Sequence, residues 1–187
     1  MNRREAIAAV GWLMGGTLIS AELLVSCTTK SKDVSDLFKP EQITFLNEVG
    51  DTILPTTNTP GAKAANVGEF IAVMVRDCYT PADQKIFLEG INQLNKASDD
   101  KFNKEFMQLD PKQRTVLLTE LDKEQKEHQR TKGRDEPNHY FRMMKELTLL
   151  GYFSSEVGAT KALRYDPVPG RYDGCMPYKK GDRAWAT

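Results

Sequence analysis

Two histidines, His128 and His139, are the only imidazoles in the chain. Imidazole is the side chain best matched to proton transfer or metal binding near neutral pH. They stand eleven residues apart on either side of a polar stretch, and neither belongs to an H-E-x-x-H pattern. A zinc site would need further ligands whose spacing is not visible, so both read as surface or loop residues. Glu146 with Glu156 and Asp135 with Glu136 are the nearest approach to an acid–base pair. In a chain with 26 acidic residues such pairs arise freely, and a solvated face explains them better. Lys145-Glu146 and Arg164 near Asp166 read as structural pairs. The segment from Cys27 onward lacks a phosphate-cradling glycine turn, a G-x-S-x-G elbow and a C-x-x-C-H haem attachment. The residues therefore offer no catalytic, cofactor-binding or metal site.

Cysteine carries a different chemistry. The chain has three cysteines. Leu24-Val25-Ser26-Cys27 has the form of a bacterial lipobox, in which a small residue precedes a cysteine that is lipidated and becomes the new N-terminus. It follows an apolar run from Ala6 to Ala21, and that run follows Arg3-Arg4. Glu22 and three glycines make this run too short and too weak for a permanent span, which needs about 20 apolar residues. The whole reads as an export signal. The adjacent arginines before a weakly hydrophobic stretch resemble a twin-arginine signal, with Asn2 in place of the usual Ser or Thr and Ala6-Ile7 in place of Phe-Leu. Cys78 and Cys175 are the two thiols left. In an oxidising compartment they could pair, closing a loop of about 97 residues; two independent buried thiols are the alternative.

Helices must carry whatever the exported part does. Pro40, Pro81 and Pro111 suit the first turn of a helix, and Pro137 is read the same way. Behind them apolar residues recur at helical spacing: Ile43, Leu46, Val49 and Ile53; Ile86, Phe87, Ile91 and Leu94; Val116, Leu117 and Leu121; Tyr140, Phe141, Met144, Leu147 and Leu150. Asn66 with Glu69 has the form of a capping box ahead of a stripe from Val67 to Cys78. Ser154 or Ser155 is expected to cap a last short helix ending near Leu163. No period-2 run demands a strand. The expectation is one all-α domain of five to seven helices. Its parts are a signal peptide at 1–26, a polar tether at 27–37, a helical domain at 38–163 and an irregular tail at 164–187. Equal numbers of basic and acidic residues, 26 each, argue against a nucleic-acid binder.

The tail is rich in proline and glycine yet carries Tyr165, Tyr172, Tyr178 and Trp185. A disordered tail is poor in aromatics, so this one is expected to dock, on its own domain or on a partner.

Three blocks give the chain a family likeness. Ile53-Leu-Pro-Thr-Thr-Asn-Thr-Pro-Gly-Ala62, Lys145-Glu-Leu-Thr-Leu-Leu-Gly-Tyr-Phe-Ser-Ser-Glu-Val-Gly158 and Tyr165-Asp-Pro-Val-Pro-Gly-Arg-Tyr-Asp-Gly-Cys175 resemble the gluconate 2-dehydrogenase subunit 3 family. The likeness spans about Phe38 to Trp185. It implies a small, exported, non-catalytic subunit of a membrane-associated sugar or sugar-acid dehydrogenase. It implies a large partner of the glucose-methanol-choline type that holds the FAD, and a cytochrome c as electron acceptor. The signal would then export both proteins, and the lipobox, a departure from the family pattern, would anchor them on the periplasmic face of a bacterial membrane. The candidate contact surface comprises Pro60, Gly61, the helix after Pro137, Tyr165, Arg171, Tyr172, Tyr178 and Trp185. Two other readings stand beside this one. One is a free-standing envelope lipoprotein that binds a small ligand or glycan. The other is an enzyme using His139 with nearby carboxylates.

Overall fold

Prolines begin three of the helices. Pro40, Pro81 and Pro111 each open an α-helix in the computed structural model, which describes residues 33–168, 170–171 and 173–186. Proline costs nothing there, because its missing N–H would have no intrahelical partner. The α-helices are α1 Pro40–Ile53, α2 Val67–Cys78, α3 Pro81–Phe102, α4 Pro111–Thr131 and α5 Tyr140–Ser154. Short 3-10 turns at Val34–Asp36, Ala62–Ala65 and Phe106–Gln108, and a π turn at Gly158–Ala162, fill the connections. The fold is all-α as expected. Among the described residues the only extended pairing is an isolated bridge between Arg164 and Trp185.

Local chemistry sets the helix starts. Thr80 Oγ1 accepts from the Asp83 N–H at 3.2 Å. Asp110 and Gln113 make a reciprocal capping box, at 2.8 and 3.2 Å. Two expected starts differ. Asn66 sits in the left-handed region, φ 49°, and its side chain makes no cap. It closes the preceding 3-10 turn, so its side chain cannot also reach forward. Asn47 of α1 takes over, its Oδ1 accepting from the Gly68 N–H at 2.8 Å. Pro137 lies in the loop, and α5 begins at Tyr140 with His139 as its N-cap.

Helix α5 is the hub. Phe141, Met144, Leu147, Thr148, Gly151 and Tyr152 are buried along it, at the three- and four-residue spacing of one helix face. It packs against α1, α2, α3 and α4. Each large apolar side chain buried this way contributes about 1.5–3 kcal/mol. Phe38 meets Phe87 edge to face and Phe45 packs on Phe106, with ring centroids 6.1 and 5.3 Å apart. Thr148 Oγ1, buried on the hub, donates to the Met144 carbonyl at 2.8 Å, so that hydroxyl stays paired on burial.

Two glycines let the helices close up. A Cβ on Gly90 of α3 would lie 2.4 Å from Tyr140 Cβ, and one on Gly151 of α5 would lie 2.5 Å from the Phe70 ring of α2. The helix starting at Pro137 was expected to stop at Gly151. It continues to Ser154 because this glycine serves packing, not termination.

Gly90→Ala should therefore destabilise the domain by about 1–3 kcal/mol, the usual cost of overpacking. Thermal unfolding should fall by about 2–4 °C per kcal/mol for a chain of this size. An unchanged midpoint would contradict the close approach of α3 and α5.

Candidate partner interface

Past the π turn the backbone becomes extended, and Arg164 meets the end of the chain. The Arg164 N–H donates to the Ala184 carbonyl, and the Ala186 N–H donates to the Arg164 carbonyl, both at 2.8 Å. The guanidinium lies 4.5 Å from the centre of the Trp185 ring, and its Nε donates to the Arg183 carbonyl at 2.9 Å. Arg183 in turn donates to the Lys161 carbonyl at 2.9 Å. A cation over an exposed indole contributes about 0.5–1 kcal/mol, and the hydrogen bonds add to it. The result is a neck that closes residues 165–183 into a loop.

Short-range turns shape that loop. Asp166 Oδ1 accepts from the Val168 N–H, and Asp173 Oδ1 accepts from the Cys175 N–H. Lys179 and Asp182 exchange two hydrogen bonds. Gly170 and Gly181 take positive φ, which glycine adopts without strain. The loop displays its apolar side chains: Val168 and Tyr178 are 77% and 73% exposed, and Tyr165, Met176 and Trp185 are also exposed. Arg171 is exposed, with Asp173 at 3.8 Å. Tyr172 lies outside the described residues, as do Arg3, Arg4 and Cys27.

A second exposed apolar surface lies on α5. Leu150 and Phe153, one turn apart, face solvent, and Phe70 of α2 packs across the intervening Gly151. The helical spacing in the sequence placed Leu150 in the core. It faces solvent because the buried stripe continues through Gly151 and Tyr152 instead.

The Pro60-Gly61 loop turns inward. Tyr152 donates its hydroxyl to the Pro60 carbonyl at 2.5 Å, the Gly61 N–H donates to Thr56 Oγ1, and Gly61 is buried. The exposed part of this loop is residues 55–58. Cys78 and Cys175 are both exposed, free thiols, so the structure contains no bridge between them, and Cys78 departs from the buried stripe expected for α2.

The other candidate chemistry resolves into structure. His139 Nδ1 accepts from the Phe141 N–H at 3.2 Å, capping α5, and its Nε2 lies 3.7 Å from a Glu124 oxygen. The His128 ring is 5.8 Å away. Burial holds the His139 pKa below the ordinary imidazole value; the Glu124 carboxylate opposes this and His128 adds to it. Glu136 accepts from the Gly133 N–H at 2.7 Å and shapes its loop. Glu146 pairs with Arg142 at 2.6 Å, and Lys145 pairs with Asp122 of α4, not with its neighbour Glu146. Burial alone would raise the Asp122 pKa, but hydrogen bonds from Lys126, Lys145 and Gln125 outweigh it and pull it down to about 2. Beside this pair runs an open groove of about 260 Å³ between α1, α4 and α5. Among the described residues no cluster of three or more His, Cys, Asp or Glu side chains is placed to hold a metal ion.

Compared with known protein families, residues 40–170 match the family described as gluconate 2-dehydrogenase subunit 3. No curated protein and no solved structure matches the chain.

The two shifted groups predict an acid profile. His139 is held neutral in the fold, so the unfolded chain takes up that proton first, and stability should fall as pH drops through 6.5. Asp122 contributes stability that is full above its ordinary value of 3.8 and is lost as pH falls toward about 2. Denaturant unfolding across pH should show both losses. His139→Asn, which keeps a capping acceptor, should flatten the upper one, and an unaltered slope there would contradict the assignment.

Proposed function

We propose that this chain, which belongs to the gluconate 2-dehydrogenase subunit 3 family, is the non-catalytic small subunit that binds, co-exports and membrane-anchors a flavin-dependent sugar or alcohol dehydrogenase. The observation that carries the reading is the family match over 40–170, most of the helical body and the start of the tail. In this reading the FAD resides in the large subunit, of the glucose-methanol-choline type, and a cytochrome c takes the electrons.

The side chains support a binding role over a chemical one. His139 caps α5, Glu136 shapes a loop, and Glu146 and Asp122 pair with Arg142 and Lys145. The apolar side chains that could bind a protein surface are displayed on the tail loop and on α5. Aromatic and arginine side chains of this kind dominate the energetics of protein interfaces.

Export and anchoring rest on the sequence ahead of the body. Arg3-Arg4 would direct a folded heterodimer through the twin-arginine route, so a flavoprotein without its own signal would leave with it. Cys27 would carry the lipid. Each buried CH₂ contributes about 0.8 kcal/mol, so several acyl chains hold stably where one would not. The polar segment at 27–37 would serve as the tether.

Replacing Arg3 and Arg4 together by lysine should strand both this chain and its dehydrogenase in the cytoplasm, read by fractionation and dehydrogenase activity. Normal export of the flavoprotein would refute the escort role.

A further inference from the structure

We infer that residues 165–183 are a docking loop preformed before the partner arrives. Arg164 is the positioning residue that holds it, and its occupant is an apolar groove with an acidic rim on the dehydrogenase subunit. The identity of the occupant rests on the family reading above.

The geometry of the neck carries the argument. Residues at the two ends of the loop are joined by two backbone hydrogen bonds, a guanidinium–indole stack and two arginine–carbonyl bonds. A loop of this length left open would lose its closure and ordering entropy on binding. Closed at its neck, it has lost part of that entropy already. The internal turns at Asp166, Asp173 and Asp182 restrict it further. Pro167 and Pro177 fix φ at two more positions.

What the loop displays does not suit a free surface. Tyr165, Val168, Met176 and Tyr178 are exposed on one short segment, and nothing in the neck requires them. Only Trp185 is used there, against Arg164. A patch of apolar and aromatic side chains held on a closed loop fits an apolar groove. Lys179 and Lys180 are exposed beside Tyr178. Their ammonium groups call for carboxylates at the groove's rim, where charge sets encounter and register.

The loop is also continuous with the exposed face of α5. Gly158, at the start of the π turn, lies against the Tyr152 carbonyl and the Phe153 backbone. The neck follows at Lys161 to Arg164. The chain thus leads directly from the helix end that exposes Leu150 and Phe153 into the neck. Residues 183–186, which complete the neck, lie beyond the stretch 40–170 that the family model matches.

The test compares full-length wild-type chain with Arg164→Ala, Arg164→Lys and Tyr178→Ala, each co-expressed with the flavin-dependent dehydrogenase. The dissociation rate of each purified complex and the hydrogen exchange of the Ala186 amide are measured. Tyr178→Ala should leave the Ala186 amide protected yet dissociate about tenfold faster, as removal of an interface hot spot does. Arg164→Ala should expose that amide and also dissociate about tenfold faster, with thermal unfolding of the body unchanged. Arg164→Lys should fall between, because an ammonium cannot make the planar stack. If wild type holds the dehydrogenase while both alanine variants dissociate within about twofold of it, the docking loop is refuted and the family reading stands. If wild type retains no dehydrogenase, that reading fails and the inference falls with it. If Tyr178→Ala instead dissolves a homodimer, the occupant is a second copy and the inference is overturned.

Discussion

Burial of α5 against every other long helix is the constraint on which the rest depends. One face of Tyr140–Ser154 meets α1, α2, α3 and α4. Gly90 and Gly151 permit the approach by offering no Cβ where Tyr140 and Phe70 must lie. A helix enclosed on so many sides keeps only a narrow stripe for solvent. On α5 that stripe runs from Glu146 through Leu150 to Phe153, and its far end leads into the π turn and the Arg164 neck. The same packing that makes the core therefore decides where apolar surface is left over.

Polar groups fasten this arrangement at its edges. Glu48 of α1 takes hydrogen bonds from Arg114 of α4 at 2.6 Å and from Lys63 of the turn before α2. The Lys63 bond, more than the Arg114 bond, holds its carboxyl below the ordinary range against the opposing effect of burial. Arg114 also stacks on Phe106, 5.2 Å from the ring centre, and donates to the Met107 carbonyl. Asp122 ties α4 to α5 through Lys145. Pairs this open to solvent contribute about 0–1 kcal/mol each, but they fix where each charged group points. A side chain committed to such a pair is a poor candidate for proton transfer, and this is why the charged residues of the body read as architecture.

Much of the body was legible from single residues. Pro40, Pro81 and Pro111 marked helix starts because the reason is local: the N–H that proline lacks is not needed there. Thr80 and Asp110 are caps for the same local reason. Asn66 and Pro137 were misread because a neighbour competes: the 3-10 turn claims Asn66, and His139 supplies the cap that α5 uses. Leu150 followed the helical period but not the packing, which depends on where α2 lies. The aromatic content of the tail was legible in the sequence. Its neck was not, because Arg164 meets Trp185 across twenty intervening residues, and no spacing rule links a cation to an indole at that distance. Arg164 reads as structural from its place near Asp166, and it is structural through Trp185 and the Arg183 carbonyl.

In the proposed role, the contact surface of this chain is the tail loop and the adjoining face of α5. Hydrogen exchange of the full-length chain, alone and in complex with the dehydrogenase, tests it most directly. The account predicts new protection across residues 165–183 and at the C-terminal half of α5, with α4 unchanged on its charged outer face. Protection confined to α4, or none along the tail loop in a complex that is shown to be intact, would contradict it.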